Sequence, residues 1–146
     1  MKVRTSIAAI SAATLVGAGV LMIPVAASAN NATHTLKFES KQHEVVGYGT
    51  VNGAASDDDL SSGGQLIGFD VLSYTGTAGG GYDIGITVDV NGGFLYGAVS
   101  GPAHAHTYSG KVTGGTGAFQ GATGTITATN LNKSGTHTEV TIVYST

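Results

Sequence analysis

The sequence predicts an all-β fold, an antiparallel up-and-down β-barrel of about eight strands. Glycine makes up 24 of the 146 residues and separates segments rich in threonine and valine. Several of these segments alternate apolar and polar side chains, the period-two pattern of half-buried strands. No window of a dozen residues has apolar positions at helical spacing, so a sandwich or a barrel of short strands is favoured.

The N-terminal segment predicts export. Residues 1–4 carry two basic side chains, and residues 5–29 are uncharged and end in Ala27-Ser28-Ala29, typical of a signal peptide cleaved after Ala29. The alternative is a transmembrane anchor, since about twenty apolar residues span a bilayer. Pro24 and the lack of a following basic cluster favour cleavage. We therefore expect a secreted, extracellular protein, consistent with bacterial export, without membrane contact after cleavage.

Cleavage would leave 117 of the 146 residues, enough for one domain. In it, residues 30–56 are expected to supply the N-terminal strands and a linker, and residues 57–146 the main barrel. Loss of Lys2 and Arg4 changes the formal net charge from −3 to −5. This acidity gives no electrostatic footprint for nucleic acid. Because the chain has no cysteine, burial and sheet closure must stabilise it without disulfides.

The first half of the domain is less regular than the second. Residues 32–39 predict a first strand, residues 45–51 a bulged second strand, and residues 54–64 a loop or linker whose most charged point is Asp57-Asp58-Asp59. Residues 65–74 predict a strand with Ile67, Phe69 and Val71 on one face and Leu66, Asp70, Leu72 and Tyr74 on the other. With both faces largely apolar, this strand is expected at the centre of the sheet or at an interface.

In the second half of the domain, apolar and polar residues alternate regularly. Residues 82–90 predict a strand, and Asn91-Gly92-Gly93 is a strong signal for a tight hairpin. Further strands are predicted over residues 94–100, 106–113, 122–131 and 136–144. Short turns join them in sequence, and barrel closure would remove the exposed edges of such a sheet.

A glycine-rich stretch, residues 111–124, reads K-V-T-G-G-T-G-A-F-Q-G-A-T-G. It contains no phosphate-binding motif in register, and β-branched residues follow it where a helix would be needed, so it predicts a corner between strands rather than a nucleotide site. It resembles the segment shared by dirigent proteins, allene oxide cyclases and bacterial chains with the same barrel. A second match, Asp57-Asp58-Asp59-Leu60-Ser61 followed by Ile67-Gly68, resembles the dirigent acidic pair and the strand after it.

The resemblance runs from about Asp57 to the C-terminus and implies an allene oxide cyclase-like barrel, a homotrimer, and dirigent-like or cyclase and isomerase chemistry without a cofactor. At several functional positions, however, the sequence departs from these families. Phe69 follows Gly68 where dirigent proteins continue towards an arginine, and Tyr74 stands where allene oxide cyclases have a cysteine. Glu39 is the one candidate for the first-strand glutamate of those cyclases.

Three carboxyl groups are candidate catalytic residues: Asp58, Asp70 and Glu39. Asp58 matches the second acid of the dirigent pair, which would stabilise a cation or act as acid and base; the alternative is a solvated acidic loop. If the Asp70 face of its strand lines the lumen, burial would raise the pKa of that carboxyl, as in a catalytic acid. If it faces outwards, Asp70 is a surface charge.

Other side chains indicate a ligand site less directly. Tyr74, Tyr96 and Tyr108 are candidates for a ligand-binding wall, although aromatic residues are common in strands. His104 and His106 lie on one side of an extended segment, but no third ligand has matching spacing, so no metal is predicted.

Two functions remain open. The first is a secreted barrel that binds a small apolar molecule in its lumen and guides its cyclisation, isomerisation or coupling by orientation and exclusion of water. The second is a non-catalytic extracellular structural or assembly protein with a filled barrel. A hollow lumen that contains an acid distinguishes the first from the second.

Overall fold

The computed structural model describes residues 32–47 and 52–146. These form a closed antiparallel barrel in which each strand pairs with its neighbours in the chain and the last strand pairs with the first. The strands are β1 (His34–Gly47), β2 (Asn52–Leu60), β3 (Leu66–Gly76), β4 (Gly81–Val90), β5 (Gly93–Pro102), β6 (Thr107–Gly115), β7 (Thr123–Asn130) and β8 (His137–Ser145). The predicted eight-stranded up-and-down barrel is confirmed.

The seam between β1 and β8 closes the sheet. Its register runs from His34 opposite Tyr144 to Lys41 opposite His137. On the outer surface of this seam Lys37 and Glu139 form an ion pair with an N–O distance of 3.0 Å. Among the described residues, no helix is long and apolar enough to cross a membrane.

The predictions for the first two strands need correction. Residues 45–47 end β1 rather than starting a second strand, and residues 48–51 lie outside the described residues. The predicted loop or linker of residues 54–64 is wrong over residues 54–60, which belong to β2. Buried and partly exposed residues alternate along β2, and Gly53, Ala55, Asp57 and Asp59 point inwards. Aspartate, glycine and alanine are poor strand formers, so closure of the barrel, not local propensity, makes this segment a strand.

The other predicted strands are confirmed within a few residues of their ends. The inward faces of β4 to β8 supply most of the core, with Val88, Leu95, Ile126 and Ile142 fully buried. The Asn91-Gly92 hairpin joins β4 and β5 directly, as predicted, with Val90 opposite Gly93.

The glycine-rich corner closes one end of the barrel. After β6 it forms a single 3₁₀ turn, Gly117–Phe119, and the Phe119 ring packs edge-on against Tyr144 with 5.5 Å between ring centroids. The Ala118 amide donates a hydrogen bond to the Gly92 carbonyl oxygen at 2.8 Å, which fixes the corner to the β4–β5 hairpin. The end of the barrel at this corner is therefore filled by side chains, whereas the other end is open.

A substitution at Gly117 would test the rigidity of this closed end. Its φ is +59°, and a Cβ there would collide with the Gly92 carbonyl oxygen, whereas Gly121 has φ +79° and open space around it. We expect Gly117→Ala to lower the free energy of unfolding by about 2–4 kcal/mol and Gly121→Ala by about 1 kcal/mol. Urea unfolding of both variants measures the difference. Equal losses would show that the contact with the hairpin does not constrain the corner.

Candidate functional site

The open half of the barrel contains a pocket of about 570 Å³. Its apolar wall includes Leu72, Ile84, Ile86 and Val99. The rim is formed by the β5–β6 and β7–β8 loops and contains His104, His106 and Lys133. The volume lies within the range of sites for small organic ligands.

Hydrogen bonds hold the rim in place. The Ala103 amide donates to the Gly80 carbonyl oxygen at 2.9 Å, which ties the β5–β6 loop to the β3–β4 turn. The Asn130 side chain donates to the Ala105 carbonyl oxygen at 3.0 Å. Between these anchors His104 adopts φ +60°, a conformation uncommon for a residue other than glycine. The pocket entrance is therefore a fixed loop structure.

Three aspartates and a serine form an acid cluster on the inner surface, which we define as Ser40, Asp57, Asp59 and Asp70. Ser40, Asp57 and Asp70 line the pocket. Strand pairing brings the four together, because Asp57 lies opposite Asp70 and Ser40 lies opposite Asp59. All four are buried, with exposed fractions between 0% for Asp59 and 7% for Asp57.

Few hydrogen-bond donors reach the carboxyl oxygens of this cluster. The Ser40 hydroxyl donates to Asp57 Oδ2 at 2.8 Å. Within the described residues Asp57 Oδ1, Asp70 Oδ1 and both oxygens of Asp59 have no hydrogen-bond partner. Buried polar atoms are normally paired, so these oxygens mark an unusual site.

Among the described residues, no basic side chain forms an ion pair with these acids. Lys37, Lys41 and Lys111 have exposed positions on the outer surface, and Lys133 lies at the rim. Removal of a charge from water without a counter-charge is costly, so such a group tends to bind a proton instead.

The pKa values of all three aspartates are raised. Burial, followed by the charge of the neighbouring Asp70 carboxyl group, raises the pKa of Asp59 to about 9. Burial, followed by the charge of Asp57, raises the pKa of Asp70 to about 7, and the neighbouring polar side chains of Asp59 and Ser40 oppose part of that shift. Burial also raises the pKa of Asp57, and the Ser40 hydrogen bond opposes that shift. These shifts favour the protonated form of Asp59 at neutral pH.

The site residues predicted from the sequence lie on both sides of the barrel wall. Asp70, Tyr74 and Tyr108 line the pocket, which answers the question of which face of β3 lines the lumen. Asp58 lies on the outer side of β2, where its side chain is 50% exposed and 3.6 Å from His43. Tyr96 is also exposed on the outside. A lumenal role for Asp58 or Tyr96 therefore has no geometric support.

Glu39 is likewise outside the lumen. Its carboxylate lies 2.9 Å from His137 Nε2 across the β1–β8 seam, so its visible role is to bridge the seam. Sequence reasoning missed Asp57, Asp59 and Ser40. The signal for the first two was present, because in three successive aspartates of a strand the outer two point to the same side.

The fold and site together define a class: a small antiparallel barrel with a hollow, acid-lined lumen. Solved structures share this fold. A pyocyanin demethylase aligns with TM-score 0.61 and 17% identity over 76% of this chain and 99% of its own. A pterocarpan synthase dirigent protein aligns with TM-score 0.61 and 18% identity, covering 79% and 88%. The exo-specific intermolecular Diels–Alderase AbnU aligns with TM-score 0.59 and 12% identity, covering 79% and 99%.

These alignments confirm the predicted dirigent-like and cyclase-like barrel at the level of the fold. No protein-family model matches the chain. No curated protein matches it either. At these identities the likeness establishes the architecture, and the chemistry has to be argued from the site.

The acid cluster predicts an unusual dependence of stability on pH. A raised pKa in the folded state means that the folded chain binds more protons than the unfolded chain above the ordinary aspartate value of 3.8. We therefore expect the free energy of unfolding to fall as the pH rises from about 4 to about 9, the raised value for Asp59.

Asp59→Asn removes the most strongly shifted acid and should flatten this pH dependence. It is expected to stabilise the protein at pH 8 by about 1–3 kcal/mol relative to the parent chain. Asp83→Asn, on the exposed outer surface of β4, makes the same charge change outside the lumen. Urea unfolding between pH 4 and 9 compares the three proteins. A parent whose stability rises throughout this range would contradict the proton-binding role of the cluster.

Proposed function

We propose that the protein binds a small, largely apolar molecule in its lumen and guides its cyclisation, isomerisation or coupling. The observation that carries this proposal is the open pocket of about 570 Å³ whose floor contains the buried carboxyl groups of Asp57 and Asp70. The pocket is not filled by its own side chains, which was the condition for the non-catalytic structural alternative.

The chemistry follows from the raised pKa values. A carboxyl group that retains its proton near neutral pH can donate it to a developing anion, and its conjugate base can accept a proton or stabilise a developing cation. Asp70 reaches the pocket, and the fully buried Asp59 is a neighbouring acid whose charge interacts with it. The apolar wall would hold the ligand in a reactive conformation and exclude water.

The structural neighbours support this proposal only in general terms. A demethylase, a dirigent protein and a Diels–Alderase use similar barrels, so the fold accommodates reactions on organic ligands of several kinds. Their similarity in fold does not specify a reaction for this chain.

Lumen binding is tested with a neutral fluorescent dye, Nile red, whose emission increases in an apolar site. We expect one saturable site per chain. Ala128 is buried and lines the pocket, so Ala128→Leu should reduce the affinity at least about tenfold by filling the space. Ala98→Leu makes the same change at an exposed position of β5 and should leave binding unchanged. Equal effects of the two variants would sink the proposal of a lumen site.

We also propose that the protein is a homo-oligomer associated through the outer surface of β3 to β5. Large apolar side chains are exposed there on β3 and β5, on either side of β4: Ile67, Phe69, Val71, Phe94 and Tyr96. The resemblance to trimeric families supports three copies. Export with cleavage after Ala29 is a further proposal, which rests on the sequence of the leader and is checked by the intact mass of the exported protein.

Phe69→Asp tests the association. It replaces an exposed aromatic side chain of the surface by a carboxylate opposite Asp89 on β4, and is expected to shift a trimer towards monomer by at least tenfold in dissociation constant. Thr125→Asp, at an exposed position of β7, is the matched control. Light scattering after size exclusion gives the mass of each. A parent chain that is monomeric at micromolar concentration would contradict the proposal.

A further inference from the structure

The floor of the pocket has the electrostatic character of a cation site. Asp57 and Asp70 line it, both are more than nine-tenths buried, and each has an Oδ1 atom without a partner. Among the described residues, no lysine, arginine or histidine is ion-paired with either. A ligand that brings a positive charge would supply the missing counter-charge and, where it has N–H groups, the missing donors.

The wall above the floor has the matching aromatic character. Tyr74, Tyr82 and Tyr108 all line the pocket, and the rings of Tyr74 and Tyr82 meet edge to face with 6.0 Å between centroids. Aromatic faces attract ammonium groups, and quaternary ammonium compounds are recognised by clusters of such rings. A pocket with aromatic rings in its wall and acids at its floor therefore favours a cation more than aliphatic walls alone would.

Other ligand charges fit less well. An anionic ligand would be repelled by the carboxyl groups and would meet a basic group only at the rim, where His104, His106 and Lys133 lie. A neutral hydrocarbon would leave the Oδ1 atoms of Asp57 and Asp70 unpaired and further desolvated, at a cost for each buried polar atom.

We propose that the lumen selects hydrophobic cations, amines or quaternary ammonium compounds, whose charged group lies against Asp57 and Asp70. The apolar body of the ligand would extend along Leu72, Ile84 and Val99 towards the rim. This inference rests on the proposed lumen site and specifies the ligand class for it.

The test compares three ligands of similar shape. Benzyltrimethylammonium carries the cation, neopentylbenzene replaces its nitrogen with carbon, and phenylacetate carries an anion. Binding is measured by competition with Nile red and by calorimetry at pH 7 and 0.15 M salt. We expect the cation to bind at least about tenfold more tightly than its carbon analogue, a preference that corresponds to about 1.4 kcal/mol, and phenylacetate to bind most weakly.

Two variants locate the charge preference. Asp70→Asn and Asp57→Asn should each reduce the affinity for benzyltrimethylammonium about tenfold or more, with little change for neopentylbenzene. Asp83→Asn removes the same charge from the outer surface of β4 and should change neither by more than about twofold, since exposed charges are screened. Should a lumen variant fail to fold, amide chemical-shift changes in the parent protein show whether the cation contacts the inner positions of β3 and β4.

The outcomes separate this inference from the proposed function. Nile red binding together with equal affinities for the cation and its carbon analogue would overturn the charge preference and leave the lumen site intact. Loss of cation binding to the same extent in Asp83→Asn, or shift changes confined to the outer surface, would also overturn it. Failure of Nile red and of every ligand to bind would overturn both proposals.

Discussion

Closure of the barrel is the constraint on which the rest of the structure depends. The β1–β8 ladder closes the sheet, and alternate residues of β2 and β3 face the interior. Once this alternation is imposed, Asp57, Asp59 and Asp70 have to lie inside, although burial of each is unfavourable. The same closure places Glu39 and Asp58 outside. The site is thus a consequence of the register of β1, β2 and β3.

The two ends of the barrel differ in packing: one is filled by side chains and the other is hollow. The glycine-rich corner, with Phe119 and Tyr144, fills one end and anchors to the β4–β5 hairpin, which supplies a rigid base and much of the apolar burial. The other end remains hollow, with the acid cluster at its floor. A core that keeps three poorly satisfied carboxyl groups gives up stability at neutral and alkaline pH. This cost is expected where the groups serve binding or catalysis rather than folding.

Much of the architecture could be predicted from the sequence, and the reason is visible in particular segments. Residues 82–90 alternate strictly and are followed by Asn-Gly, so both the strand and its hairpin are local properties. Residues 52–60 carry no such signal, because glycine, alanine and aspartate are rare in strands and only the neighbours on either side make them one. The sequence therefore suggested a loop where β2 lies.

The site could be predicted only in part, because its geometry depends on strand pairing and barrel closure, which are not local properties of the sequence. Asp70 could be identified as a candidate, but both faces of β3 are apolar, and only closure shows that the face it shares with Leu72 and Tyr74 is the inner one. The outer face, with Phe69 and Val71, is left as an exposed apolar surface. The pairing of Asp57 with Asp70 depends on the register between β2 and β3, which no local pattern specifies.

The most direct test of this account is a titration of the aspartate carboxyl carbons by ¹³C NMR. The account predicts that Asp59 and Asp70 titrate as a coupled pair well above the ordinary value of 3.8, with Asp59 still protonated at pH 7. If both carboxyl carbons instead titrate near 3.8, the cluster is solvated or paired with a charge, and a buried acidic floor could not be the basis of either binding or catalysis.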